Sequence, residues 1–313
     1  MSAWQKFESL MAGLVVLLLA ASLIGALLRR RVRSEQARPT IDNLNSRIRA
    51  WWVMLGIFAV AFIAGRDTTL ALFGVMSFLA LREFVTLTPT KPADHLVLSL
   101  SFFVLIPAQY LLIAIGWYGL FAIFIPVYAF LVIPALAALS QDTDRFLERT
   151  AKIQWGVMMT VYCVSHAPAL LLLDIPGFHG QSALLVLFLL LVAQLSDVLQ
   201  YVFGKLLGRT PVAPLVSPSK TVEGLVGGGL AATIIGGAMY WITPFTPRQA
   251  LGMSAIIVIM GFLGGLALSA VKRSIGAKDW GTLIEGHGGM LDRLDSLCFA
   301  APIFFHVTRY FFT

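Results

Sequence analysis

A chain of 313 residues that is 58% hydrophobic and 12% charged, with mean hydropathy +0.84, is excluded from the class of ordinary soluble globules. Apolar runs of about 20 residues, the length that crosses a bilayer, recur from end to end, so the expected fold is all-α, a polytopic helical bundle in a membrane. The net charge of +7 does not argue for nucleic acid, because Lys and Arg in such chains mostly set orientation.

The first apolar span covers about 7–28 and is followed at once by RRRVR. A cleavable signal has its charge before the apolar core, so this span reads as an anchor that stays. Residues 29–50 read as a basic, polar linker ending at Trp51 and Trp52, aromatic markers of a membrane interface. Further spans are expected at about 51–65, 68–84, 94–115, 117–139, 153–173, 181–203, 224–243, 250–271 and 297–313, which makes about ten.

With the N-terminus outside, strict alternation puts segments 29–50, 82–92, 140–152, 204–222 and 272–296 inside. Of the 23 Lys and Arg residues, 19 fall there, leaving only Lys6, Arg66, Arg248 and Arg309. That asymmetry predicts both termini outside and the polar loops of the second half on the cytoplasmic side. The longest polar stretches, about 20–25 residues, are too short to bury a core of their own. The organisation expected is a transmembrane scaffold over 1–180 and a catalytic transmembrane region over 181–313. Cys163 and Cys298 lie in apolar runs without metal-ligand spacing and read as packing residues. Gly261 and Gly265 form a GxxxG pattern that reads as close helix packing.

Chemistry concentrates in 269–296, SAVKRSIGAKDWGTLIEGHGGMLDRLDS, a charged and glycine-jointed stretch between apolar spans. Such a stretch is costly beside a membrane unless it lines water. Asp292 and Asp295 are three apart in a segment that reads as helix, which puts both carboxylates on one face. With Lys272, Arg273, Lys278 and Arg293 close in sequence, they suit a divalent cation carrying a polyphosphate.

A second polar stretch, 196–224, holds Asp197 near the end of an apolar span and then SPSKTVEG. Ser217, Lys220, Thr221 and Glu223 present hydroxyls, a cation and a carboxylate at the mouth of the next helix. Free N–H groups there bind phosphate, while Thr221 or Ser219 equally reads as an N-cap. GxxxxGK[ST], HExxH and CxxC are absent from the sequence, so a P-loop or a zinc site has no support. His166, His179 and His306 read as packing or interfacial residues.

These residues resemble a known signature. Ser269, Lys272-Arg273, Lys278-Asp279 and Gly286-His287-Gly288-Gly289-x-x-Asp292-Arg293-x-Asp295 are similar to the signature of the phosphatidate cytidylyltransferase (CDP-diacylglycerol synthase) family. Ser217-Pro-x-Lys220-Thr221-x-Glu223-Gly224, and Asp197 with Tyr201 and Gly204, resemble two further motifs of that family. The motifs cover about 190–313, and RIRAWW and SFLALREF in the first half resemble a paralogous branch.

The resemblance implies transfer of a cytidylyl group from CTP to phosphatidate, giving CDP-diacylglycerol and diphosphate. It further implies a multi-pass protein of the cell inner membrane with catalytic loops facing the cytoplasm. Mg²⁺ is the implied cofactor, with a second, monovalent cation and a homodimer left open; membrane lipids are partners and nucleic acid is not. It assigns Asp292 and Asp295 to the cation, with Asp279 or Asp197 adding to it. Lys272, Arg273, Lys278 and Arg293 are assigned to triphosphate or lipid phosphate, Ser217, Lys220, Thr221 and Glu223 to the nucleotide side, and His287 to a cover over the phosphates.

Three departures stand out: Glu285 where the family has Pro, Val198 where it has Thr, and Gly265 and Leu268 where it has an Asp implicated in cation binding and, often, a Glu just before the Ser. Gly265 thus reads either as a packing contact or as an emptied acid position facing a polar cavity, where Gly265→Asp would strengthen Mg²⁺ dependence. A non-catalytic paralogue that binds lipid or nucleotide is the alternative function, and a transporter with polar groups at the bilayer midplane a more distant one.

Overall fold

The computed structural model describes residues 1–31, 38–282 and 288–313, with the backbone alone at 39 and 40. Among the described residues the chain winds through ten helical segments: α1 Ala3–Arg31, α2 Arg38–Ala64, α3 Arg66–Leu87, α4 Pro92–Ala114, α5 Tyr118–Ala138, α6 Phe146–Leu172, α7 Ser182–Leu207, α8 Gly224–Ile242, α9 Pro247–Ser274 and α10 Leu291–Phe312. The first nine are long and apolar enough to cross a membrane. The tenth spans a similar length but opens with Asp292, Arg293 and Asp295. The protein is a multi-pass helical membrane protein.

Helix α2 starts at Arg38, so much of the expected polar linker is helical. The reason is local: Ile41 and Ile48, two turns apart, share one face and are buried, and Asn45 donates to the carbonyls of Gly25 and Ile41. The polar half of α2 is therefore held by α1 rather than left in water.

Helix α10 sits at the centre, packed on α9, α7, α6 and α3, while α8 closes against α7 and α9. Small residues permit this. A β-carbon on Gly228 would run into the backbone of Leu199 and Gln200, and one on Gly264 would stand 2.6 Å from the Asp295 carbonyl. Close backbone approach of this kind is how helices associate where lipid removes the hydrophobic drive. Gly261, whose built β-carbon meets Ser296, belongs to the same packing seam. Cys163 and Cys298 are free and buried, as expected of packing residues.

Helix α9 is started by a capping box in which Thr246 accepts the Gln249 N–H and Gln249 accepts the Thr246 N–H, with Pro247 as first helical residue. Between α7 and α8 the chain makes a short antiparallel hairpin that hydropathy does not announce, β1 Pro211–Ala213 with β2 Ser217–Thr221.

The described parts of the five basic segments gather at one end of the bundle. Lys91 pairs with Asp142 and Asp144, and Arg149 with Asp94. Glu83 accepts the N–H groups of Met290 and Leu291, Arg273 donates to the Val216 carbonyl, and Arg47 lies within electrostatic reach of Arg293. This is the arrangement that alternating spans require.

Candidate active site

Two clusters form where α9 and α10 meet at this end. In the first, Lys272 on the last turn of α9 donates to Asp292 Oδ1 at 2.7 Å. Asp292 Oδ2 accepts the backbone N–H groups of Trp280 at 2.8 Å and Gly289 at 2.9 Å. Both oxygens are thus engaged, and the side chain is 7% exposed. Gly288 stands at φ +81, and a β-carbon there would press on the Asp292 carboxylate at 2.7 Å, so the left-handed turn and the close approach both require glycine. Asp292 pins the loop to α9 and α10.

The same loop is fastened from the first half of the chain. Glu83, near the end of α3, accepts N–H from Met290 and Leu291 at 2.8 Å each. These are amides that the start of α10 cannot satisfy for itself, and a carboxylate there also complements the helix dipole. Side chains on Gly281 and Gly289 would collide with that carboxylate. Trp280 is 1% exposed and packs on Phe84, ring centroids 5.5 Å apart.

In the second cluster, one turn further along α10, Asp295 takes the N–H of Ser296 on Oδ1 and turns Oδ2 toward α9. Lys220, from β2, reaches between the helices: its Nζ lies 3.5 Å from the Phe262 carbonyl and 5.0 Å from the Phe262 ring centroid. Asp295 and Asp197 both act electrostatically on it. Burial pushes the Lys220 ammonium below the ordinary lysine value, and the two carboxylates pull the other way. Asp197 on α7 is partly buried and within electrostatic reach of Asp295, Lys220 and Arg293. Arg293 is likewise within reach of Asp295, Asp292 and Asp197.

The sequence expectations divide accordingly. Lys220, Asp197, Asp295 and Arg293 converge from β2, α7 and α10. Lys272 and Asp292 converge too, but on each other. Asp292 and Asp295 share a helix and still serve different partners, because one faces the loop amides and the other faces β2. Lys278 and Asp279 are exposed. Among the described residues, no group of three or more Asp, Glu, His or Cys converges, so the set Asp279, Asp292 and Asp295 is not assembled as a cation cage. Asp279 faces solvent, and Asp292 is occupied by Lys272 and two amides.

The pair Asp197 and Asp295 does fit Mg²⁺. Its donors are hard carboxylate oxygens, and Mg²⁺ on a polyphosphate takes one or two carboxylates, filling its remaining positions with phosphate and water. Glu285, Gly286 and His287 lie outside the described residues.

On the hairpin side, Thr221 Oγ1 accepts the Gly224 N–H at 3.1 Å, the capping role expected of it. Ser217 is buried. Glu223 accepts the N–H groups of Arg209 and Thr210 at 3.0 and 3.1 Å, which lowers its pKa to about 2. It tethers the hairpin to α8. Arg273, exposed, donates to the carbonyls of Val216 and Ala277 and ties the hairpin tip to α9. Gly265 faces this site and not the packing seam: a β-carbon there would lie 2.6 Å from Lys220 Nζ and 3.8 Å from Asp295 Oδ2. An aspartate at 265 would meet an ammonium first.

Glu83 is the functional residue that sequence reading misses. It stands beside Arg82 at a span edge and looks like an ordinary boundary charge; its signal, an acid on the face of α3 that also carries buried Phe84 and Ala80, is weak.

The chain is 41% identical over 306 residues to the uncharacterized protein YnbB of Escherichia coli (strain K12), covering 97% of this chain and 98% of that one. It is 39% identical over 120 residues to the phosphatidate cytidylyltransferase of Staphylococcus aureus (strain COL), and 43% identical over 122 residues to that of Staphylococcus saprophyticus. Both of those alignments cover 38% of this chain and 46% of the relative, so the matched part spans less than half of each enzyme. The model of the cytidylyltransferase family matches residues 45–311, which takes in α3 with Glu83 and every residue of both clusters. The chain belongs to the cytidylyltransferase family.

Proposed function

We propose that the protein is a phosphatidate cytidylyltransferase-type enzyme that joins CTP and phosphatidate into CDP-diacylglycerol and diphosphate. The observation that carries this reading is the convergence of Lys220, Asp197, Asp295 and Arg293 at one end of an apolar bundle. The end concerned holds the basic segments, which supports a site facing the cytoplasm from the inner membrane.

The chemistry asks little of a base. An anionic oxygen of the lipid phosphate attacks the α-phosphorus of CTP, a P–O bond forms, and the bond to the β-phosphate breaks with diphosphate leaving as the anion. The difficulty is bringing two polyanions together, which positive charge and in-line positioning address. Lys220 and Arg293 face the phosphates, with exposed Lys278 and Arg273 at the rim. Lys272 and Asp292 hold the loop in place, and His287 would cover the phosphates. Ser217, Thr221 and Glu223 fix the hairpin that delivers Lys220. Asp197 and Asp295 would hold Mg²⁺, which supplies charge neutralisation of the triphosphate when bound; Asp279 stays at the rim.

The alternative, a paralogue that binds without turnover, is favoured by one observation: position 265 carries no acid, and the space a side chain there would fill is taken by the end of Lys220, beside Asp295 Oδ2. The test is conversion of labelled CTP by purified protein with phosphatidate and Mg²⁺. Label in the lipid phase supports the enzyme; binding of CTP without lipid label supports the paralogue.

A further inference from the structure

The end of the bundle away from the candidate active site carries few bases, and two of them meet. Helix α10 has Asp292 at its start and Arg309 in its last turn, while α3 has Glu83 near its end and Arg66 as its first residue. Arg66 and Arg309 therefore belong to the opposite end, where the charge asymmetry leaves only four of the 23 Lys and Arg residues. Both line one cavity of about 180 Å³ between α3, α4, α5, α6 and α10.

Each guanidinium is held in place with donors to spare. Arg66 Nη2 donates to the Ile113 carbonyl at 3.3 Å and to the Ala114 carbonyl, at the negative end of the α4 dipole. Both bonds use Nη2, which leaves Nε and Nη1 open. The Arg309 guanidinium stacks on Tyr118, its carbon 3.6 Å from the ring centroid. Stacking uses the flat face and leaves the in-plane N–H groups free to donate. No acid lines the cavity, and among the described residues neither arginine forms an ion pair. A second cavity, on the other side of Arg66, includes Asp174, but His179 Nδ1 lies 2.6 Å from that carboxylate and occupies it.

Two guanidinium groups without a counter-charge, on the side where Lys and Arg are scarce, call for an anion. Their forked donors suit the oxygens of a phosphate. The rest of the cavity says what the phosphate is attached to. Phe121 and Phe305, a turn deeper than Tyr118 and Arg309, are apolar lining, and Trp117 stands exposed at the interface beside them. A free ion would leave that apolar lining uncovered, whereas a lipid covers it.

We infer that Arg66 and Arg309 form a binding site for the phosphate of an anionic membrane phospholipid, in the leaflet opposite the candidate active site. The phosphate bridges the two guanidinium edges, and the glycerol and upper chains lie over Phe121 and Phe305. The lipid thereby ties α3 to α10, the two helices whose far ends carry Glu83 and the charged clusters.

The test uses the purified full-length protein in nonionic detergent, with phosphatidylglycerol, phosphatidylcholine or inorganic phosphate added at constant ionic strength. Phosphatidate and CTP are left out, since the candidate active site would take them. Phosphatidylglycerol is expected to raise the wild-type unfolding temperature by at least about 3 °C over phosphatidylcholine. The double variant Arg66→Gln with Arg309→Gln should lose that increment, and Arg309→Lys, which keeps the charge, should retain part of it. Native mass spectrometry should find more phosphatidylglycerol held by the wild type than by Arg309→Gln. Three results overturn the inference: a folded double variant with the wild-type increment, phosphatidylcholine matching phosphatidylglycerol, or inorganic phosphate doing so, which would make this a site for the free ion. If the double variant does not fold, Arg309→Gln decides, and lipid retention equal to the wild type overturns the site. Because no arm uses CTP, an inactive wild type would defeat the proposed reaction and leave this test standing.

Discussion

Two charged clusters sit at the same end of the bundle and differ in how fully they are satisfied. In the first half, Asp94 accepts Arg149 Nε at 3.0 Å and the Lys91 N–H at 2.9 Å, while Arg149 also reaches the Asp144 carbonyl and the Asp142 carboxylate. Arg149 and Asp94 are 6% and 3% exposed, and every charge is spent on a neighbour. In the second half, Lys220 makes one long hydrogen bond among the described residues and lies within electrostatic reach of two carboxylates that come from different helices. Similar residue types thus give a clasp in one place and a site in the other. The difference is hydrogen-bonding capacity held in reserve, and a reserve of that kind is what an incoming phosphate needs.

The comparison can be broken most forcefully at the clasp. Arg149→Met leaves Asp94 buried with much of its compensation gone, and the unfolding temperature should fall by about 5–10 °C in detergent. Turnover per folded molecule should be unchanged. Loss of turnover at wild-type stability would mean that the clasp belongs to the site.

Asp292→Asn separates the two clusters within α10. It strands the Lys272 ammonium and weakens acceptance of two loop amides, a loss of about 1–3 kcal/mol. Stability and activity should drop together, and hydrogen exchange at Trp280 and Gly289 should quicken. An inactive variant with wild-type exchange would put Asp292 in contact with substrate instead.

Glu83→Gln keeps a carbonyl acceptor for the start of α10 but removes the charge that complements the helix N-terminus. The expected cost is about 1 kcal/mol, read as a small fall in unfolding temperature, and Glu83→Ala should cost more. A Gln variant no better than Ala would show that the charge matters more than the hydrogen bonds.

The smallest effect concerns Glu223, whose pKa falls from the ordinary 4.5 to about 2 because two backbone N–H groups hold its ionised form. A depressed carboxylate contributes stability above the ordinary value, and that stability is lost as pH falls from there through about 2. Hydrogen exchange at Arg209 and Thr210 should therefore stay slow at pH 5 and above and quicken as the pH is lowered from about 4.5 toward 2. Glu223→Gln should abolish that pH dependence while leaving the rest of the bundle's exchange unaltered.

Hydropathy and charge asymmetry make the helices legible, because each span reports on its own local solvent. The sequence motifs likewise bring Lys220, Asp197 and Asp295 to notice one by one. What they do not reveal is pairing. Glu83 lies 207 residues from the amide it caps, and nothing local to SFLALREF records that contact. The split between Asp292 and Asp295 is equally invisible, since a three-residue spacing fixes a shared helix face but not which element packs there. The hairpin at 211–221 escapes a reading tuned to apolar runs, its residues being mostly exposed.

The most direct test of the account sets Asp295→Asn beside Asp94→Asn in one preparation, measuring labelled CTP converted with phosphatidate and Mg²⁺ together with the unfolding temperature of each. The account predicts opposite patterns: Asp295→Asn folded near the wild-type temperature with its lipid-phase label lost, and Asp94→Asn unfolding early while converting CTP normally per folded molecule. Activity that simply follows unfolding temperature in both variants would contradict it.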